Sequence, residues 1–160
     1  MKTPALAAIL LLAAVPAYGQ NAGQIAHAKA GASCPGCNLF QAEFQNTELK
    51  GKNFAKARLR QADMSASIMN HTSFAGGDLR DVNAYGAVFS SANFAHADLT
   101  NATFVGTYLE GANLAGARLT GANFSGAEMD RARGLTQHQL DAACGDDSTK
   151  LPRGLSLKRC

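Results

Sequence analysis

Residues 92–129 read ANFAHADLTNATFVGTYLEGANLAGARLTGANFSGAEM. Taken in steps of five, they place Phe94, Leu99, Phe104, Leu109, Leu114, Leu119, Phe124 and Met129 in one column of large apolar side chains. The column runs back without a slip through Phe89, Leu79, Phe74, Met69, Met64, Leu59, Phe54, Leu49 and Phe44 to Leu39, with Ala84 its one small member. Two residues before each stands a mostly small one: Ala122 and Ala127 at one end, Cys37, Ala42 and Thr47 at the other. A helix repeats at about 3.6 residues and a strand at about two, so neither makes this pattern. A fixed internal repeat predicts a solenoid, whose units bury their apolar faces only against their neighbours.

The runs Ala92-Asn93-Phe94, Ala97-Asp98-Leu99, Ala112-Asn113-Leu114 and Ala122-Asn123-Phe124 resemble the unit of the pentapeptide repeat proteins. That resemblance implies an all-β solenoid, a right-handed quadrilateral β-helix. Each pentapeptide would make one side and four would make one coil. The Leu or Phe and the small residue two before it would point inward, and the other three outward.

Residues 1–19 stand apart. Lys2 gives a positive start, Ala5 to Val15 is an unbroken apolar run, and Ala17-Tyr18-Gly19 follows Pro16. This reads as a secretory signal peptide, too short to span a bilayer as a helix. The mature chain is then expected to begin at Gln20, without a membrane span, in the periplasm or secreted. The whole chain carries 15 Lys and Arg against 12 Asp and Glu, a net +3. An oxidising compartment favours disulfides. Four cysteines allow three pairings. Pro35-Gly36 is a turn dipeptide that brings Cys34 to Cys37, and Cys144 and Cys160 bracket the tail, so the local pairing is expected. The competing reading is a thiol–disulfide active protein working through Cys34 and Cys37. Such a motif needs a helix N-terminus after a strand, whereas Cys37 here falls in an inward column.

The expected organisation is a cap with the Cys34–Cys37 turn over 20–37, the β-helix over 38–133, and a capping helix with a disulfide-tethered tail over 134–160. Open solenoid ends expose backbone edges and core. Residues 21–30 are read as one or two helical turns. Thr136 and Gln139 read as a capping box with Leu135 and Leu140 as its staple, predicting a helix over 137–144 stopped by Gly145.

With twenty residues per coil, Leu39, Leu59, Leu79, Leu99 and Leu119 stack, as do Phe54, Phe74 and Phe94. Val82 offsets the small Ala84. Lys52 occupies an inward position, where an unpaired ammonium is costly, and is expected to escape at the open end. Outside, Arg58, Arg60, Arg80 and Arg118 alternate with Asp78, Asp81 and Asp98 as an ion-pair ladder of small worth. Lys50, Lys52, Lys56, Arg58 and Arg60 form a basic cluster, read as a solvated face. Ala55, Ala75, Ala95 and Ala115 line a flat uncharged side. Ile68, Tyr85, Val88, Val105 and Tyr108 gather about one corner, more apolar than scattered exposure explains. They are the candidate protein interface.

No phosphate-binding loop is present, and His27, His71, His96 and His138 are too dispersed to share a metal. No catalytic residue, metal or cofactor is expected. The reading is a non-enzymatic exported scaffold that binds a protein partner, a second copy of the chain among the candidates. Some members of the resembled family protect DNA gyrase by imitating duplex DNA. That needs a dense negative surface and a cytosolic location, so no nucleic-acid role is expected here.

Overall fold

The computed structural model describes residues 19–160. Apart from Gly19, the segment read as a signal peptide lies outside the described residues. Each pentapeptide contributes three extended residues and a corner. Around Leu114, the inward Ala112 and Leu114 are buried while Asn113 between them faces out. The corner Leu114-Ala115-Gly116-Ala117 closes when the Ala117 N–H donates to the Leu114 carbonyl at 3.1 Å. Its third residue has φ 63°, the left-handed backbone of a type II turn. Corners from Gly106 to Gly126 use glycine there, whereas earlier ones mix glycine with residues such as Gln61, His71 and His96 in the same conformation.

Successive coils pair in parallel, twenty residues apart, on four sides. One side runs Asn38–Arg58–Asp78–Asp98–Arg118 and the next Glu43–Asp63–Asn83–Thr103–Asn123. The third runs Glu48–Ile68–Val88–Tyr108–Glu128 and the fourth Asn53–Ser73–Asn93–Asn113–Arg133. The pairing is by backbone bonds such as Leu99 N–H to Arg118 carbonyl at 2.9 Å and Asp98 N–H to Gly77 carbonyl at 2.9 Å. Neighbouring strands lie about 4.8 Å apart, so just under five coils span on the order of 23 Å.

The Asn or Asp of each unit has a local task. Its side-chain oxygen accepts from the N–H two residues on, the first corner residue, which the ladder leaves unpaired. Asn53 does this for Ala55 at 2.9 Å, Asn93 for Ala95 at 3.0 Å and Asn113 for Ala115 at 3.1 Å. These are Asx turns.

The core is continuous. Phe74 and Phe94 stack at 5.1 Å and Phe104 and Phe124 at 5.3 Å, while Phe89 and Phe94 meet edge to face at 5.3 Å. Burying each such ring is worth roughly 1.5–3 kcal/mol. Val82 and Ala84 are both buried. The buried hydroxyls of Ser67 and Thr72 each donate at 2.6 Å, to the Met64 and Leu49 carbonyls, and Thr107 donates to Ala84 at 3.0 Å.

At the N-terminal end, helix α1 (Ala22–Lys29) lies over the first coil. Asn21 caps it by accepting from the Gln24 N–H, Ala28 is buried, and Ile25 packs on the core. The ladder already holds Cys34, whose N–H donates to the Asn53 carbonyl at 2.8 Å. Lys52 leaves the interior at this end: a Cβ on Gly31 would sit 4.0 Å from its Nζ.

At the C-terminal end the chain leaves the last corner at Gly134, where a Cβ would meet the Ala115 Cβ at 2.6 Å. Helix α2 (Gln137–Leu140) follows, with the Thr136–Gln139 capping box formed. It is shorter than the predicted 137–144, because the following backbone enters the ladder. Gly121 N–H donates to Ala142 at 2.7 Å, Cys144 N–H to Ala122 at 3.0 Å, and Phe124 N–H to Cys144 at 2.8 Å. Strand β1 (Cys144–Gly145) then pairs in parallel with β2 (Lys158–Arg159). Gly145 is therefore a strand residue and not a helix stop. Its missing side chain admits Thr149, whose Oγ1 would lie 2.8 Å from a Cβ there.

Candidate functional site

The structure brings the five apolar candidates together. Ile68, Val88 and Tyr108 are successive paired residues on one side. Tyr85 and Val105 start the corners at the edge of the adjoining side, one coil apart, and the Gly86 N–H donates to the Val105 carbonyl at 2.9 Å. Tyr85 is 60% exposed and Tyr108 48%, the exposed large hydrophobics among the described residues, while Ile68, Val88 and Val105 are half-buried. The corner beside them carries Gly86 and Gly106, with no atom within 4 Å of where a Cβ would stand. Some other corners are crowded: a Cβ on Gly116 would meet His96 Nδ1 at 2.5 Å. Bare corners leave the two aromatic and β-branched columns uncovered.

Ion pairs frame the patch toward the C-terminal end. Lys150 Nζ lies 2.9 Å from Glu128 and Arg131 2.6 Å from Glu110. The Glu128 carboxylate holds the Lys150 ammonium protonated above its ordinary range. The side of Leu59 carries the expected charge ladder. Arg80 lies 2.7 Å from Asp78 and Arg60 3.3 Å from Asp81. The hydrogen bond from Arg80 holds the Asp78 carboxyl below its ordinary range, against the opposing effect of its partial burial.

The basic cluster is partly neutralised. Lys50 pairs with Glu48 at 2.6 Å, and the Arg58 guanidinium lies 4.8 Å from the centre of the Phe40 ring. The cysteines pair locally, Cys34 with Cys37 and Cys144 with Cys160, their Cα atoms 5.5 and 4.9 Å apart. Cys34 is 5% exposed, so this sulfur faces the core and not an incoming thiolate. Among the described residues no three His, Cys, Asp or Glu side chains are placed to hold a metal ion, and no helix is long and apolar enough to cross a membrane.

Sequence reasoning missed the tail's part in pairing the end of the coil stack. Asp146 Oδ1 accepts from the Gly126 N–H at 2.9 Å, standing where a further coil would offer a carbonyl. Its carboxyl is held below the ordinary range, mainly by the Ser148 hydroxyl and then by that N–H. Thr149 donates to the Phe124 carbonyl at 3.0 Å, and the Gln139 amide to Leu114 and Ala117 at 2.9 Å each. An Asp followed two residues later by Ser repeats the Asx spacing, a signal that was present at Asp146 and Ser148.

Five-residue sides, corner turns and a twenty-residue parallel ladder define a protein built as a stack of pentapeptide coils. The chain belongs to the family described as Pentapeptide repeats, whose profile matches residues 37–76, 67–104 and 97–133 in eight copies. Comparison with curated proteins gives no match. Among solved structures, a pentapeptide repeat protein from the Arabidopsis thaliana thylakoid lumen is 26% identical, covering 66% of this chain and 83% of its own, with a TM-score of 0.39. One from the cyanobacterium Cyanothece 51142 is 21% identical over 81% of this chain and 97% of its own, TM-score 0.36. A plasmid-mediated fluoroquinolone resistance protein is 20% identical over 77% and 76%, TM-score 0.38.

Proposed function

We propose that this protein is an exported, non-enzymatic scaffold, a right-handed quadrilateral β-helix that binds a protein partner through the corner carrying Tyr85 and Tyr108. The observation that carries the reading is the exposure of those two rings beside Ile68, Val88 and Val105. Tyrosine suits interfaces because its body is apolar and its tip polar. Export is supported by the apolar run after Lys2 and by the two disulfides. A redox role for Cys34 and Cys37 is disfavoured by the burial of Cys34. Imitation of DNA is disfavoured by the positive net charge.

The test is the double substitution Tyr85→Ser with Tyr108→Ser. Both side chains face outward, so the urea melt is expected to stay close to wild type. The variant is expected to lose the proteins that wild type retains in a periplasmic pulldown, and any self-association seen by size-exclusion chromatography. Recovery of the same partners with unchanged self-association would move the interface to the flat side of Ala55, Ala75, Ala95 and Ala115.

A further inference from the structure

The side that runs Asn38–Arg58–Asp78–Asp98–Arg118 ends in a gap. In earlier coils its leucine N–H donates to a carbonyl one coil on, Leu79 to Asp98 at 2.8 Å and Leu99 to Arg118 at 2.9 Å. Leu119 is 2% exposed, and its N–H has no acceptor among the described residues. The tail serves the backbone on either side of it. The Ala117 carbonyl accepts from the Gln139 amide at 2.9 Å, and the Gly121 N–H donates to Ala142 at 2.7 Å. Helix α2 and the residues after it thus bridge the end of this side without filling it. They leave a groove of about 210 Å³ between Leu119 and His138. An unanswered N–H on a buried residue is costly and marks a place for a bound acceptor. The Glu43 and Glu48 N–H groups of the first coil also lack an acceptor among the described residues, but both residues are exposed and water serves them.

The groove is rich in donors. Arg118 lines it and has no ion pair among the described residues. Asp98, the acid one coil back, accepts from the Thr100 hydroxyl at 2.6 Å and faces Arg80 at 4.0 Å. Thr120 lacks the acceptor that Thr100 finds in Asp98, because Arg118 stands in that place. His138 brings an imidazole to the opposite wall. Among the described residues no carboxylate lines the groove, and the oxygen of Gln139 is already bound by the Thr136 N–H. The remaining walls are Ala117, Leu119 and Ala142.

We propose that this groove is a binding site for an organic carboxylate with a small apolar body. A guanidinium presents a planar fork that matches the two oxygens of a carboxylate, and the Leu119 N–H supplies the donor that the missing coil would have used. The alanine and leucine walls take the apolar body. Such a carboxylate belongs to a free acid or to the C-terminus of a peptide, and the probes below separate the two. This site is distant in the fold from the tyrosine patch and does not depend on it.

The test follows the Leu119 amide by proton–nitrogen NMR of the whole disulfide-bonded protein as benzoate is added. A saturable downfield shift is expected, with benzamide and inorganic phosphate weaker by about tenfold or more. An N-acetylated tripeptide ending in a free phenylalanine carboxylate is the second probe. Binding tighter than benzoate would assign the site to a chain terminus, and weaker binding to a free acid. Arg118→Gln is expected to weaken benzoate by at least about tenfold, while Tyr85→Ser with Tyr108→Ser leaves it unchanged. His138→Ala, an exposed change on the other wall, is expected to weaken it as well, so a folding defect in one variant leaves the other to decide. No saturable shift at Leu119, equal binding of benzamide or phosphate, or wild-type affinity in the folded variants would overturn the proposal and leave the groove to ordered water.

Discussion

The two ends of this stack of coils meet the same problem differently. Each end of a parallel stack leaves a ring of unpaired backbone groups over an apolar core. At the C-terminal end the tail pairs most of the ring with two short strands, a capping-box helix and the side chains of Asp146, Thr149 and Gln139. At the N-terminal end α1 covers core, and the edge of the first coil receives side-chain bonds from Gln20, Gln24 and Ser33. Covering the core and pairing the edge are therefore separable tasks. A helix laid across the end does the first and leaves much of the second undone, whereas further rungs do both.

The largest effect should lie between the ends. Phe94→Ala removes a ring that contacts Phe74, Phe89 and Phe104, and is expected to cost roughly 3–5 kcal/mol in a urea melt. Next comes the tail's tether. Cys144 and Cys160 are 16 residues apart and Cys34 and Cys37 only 3. Chain-entropy arguments give the longer loop about 3 kcal/mol and the shorter about 2. Cys160→Ser is thus expected to destabilise more than Cys34→Ser with Cys37→Ser, and a reversed order would mean the first coil depends on its disulfide more than the tail does.

Local devices come lower. Thr136→Ala removes the helix α2 cap and is expected to cost about 1 kcal/mol, again by urea melt. Acid should loosen the C-terminal end through Asp146, whose folded-state pKa is depressed. A depressed carboxyl stabilises the fold above its unfolded pKa of about 3.9, and the contribution is lost as pH falls through the folded value. Exchange of the Gly126 amide, followed by NMR as pH is lowered from neutral, should accelerate only below about pH 4, and Asp146→Asn should remove that step. Smallest of all, Ala95→Ser is outward on a flat side and should stay within about 0.5 kcal/mol of wild type.

Most of the fold was legible because inward residues must fill a fixed space at a fixed interval. The column from Leu39 to Met129 and its small partner therefore announce the coil, and the twenty-residue register already gathers Tyr85, Val88 and Tyr108. Cys34 stands five residues before Leu39, so the first rung was also visible in principle. The tail's rungs were not. Asn123 pairs with Cys144 at a spacing of 21 and Glu128 with Lys150 at 22, so the period slips where the unit motif has stopped. The task of the unit's Asn was hidden too, since an outward polar residue looks solvated until its bond to the corner N–H is seen. The open edge of Glu43 could not be read at all, because it depends on where α1 comes to rest.

Residue-resolved amide hydrogen exchange on the disulfide-bonded protein tests the difference between the ends most directly. The account predicts slow exchange for the Phe124, Gly126 and Met129 amides, which have acceptors in the tail, and fast exchange for Glu43 and Glu48. Comparable protection of Glu43 and Glu48 would contradict it, as would rapid exchange at all five.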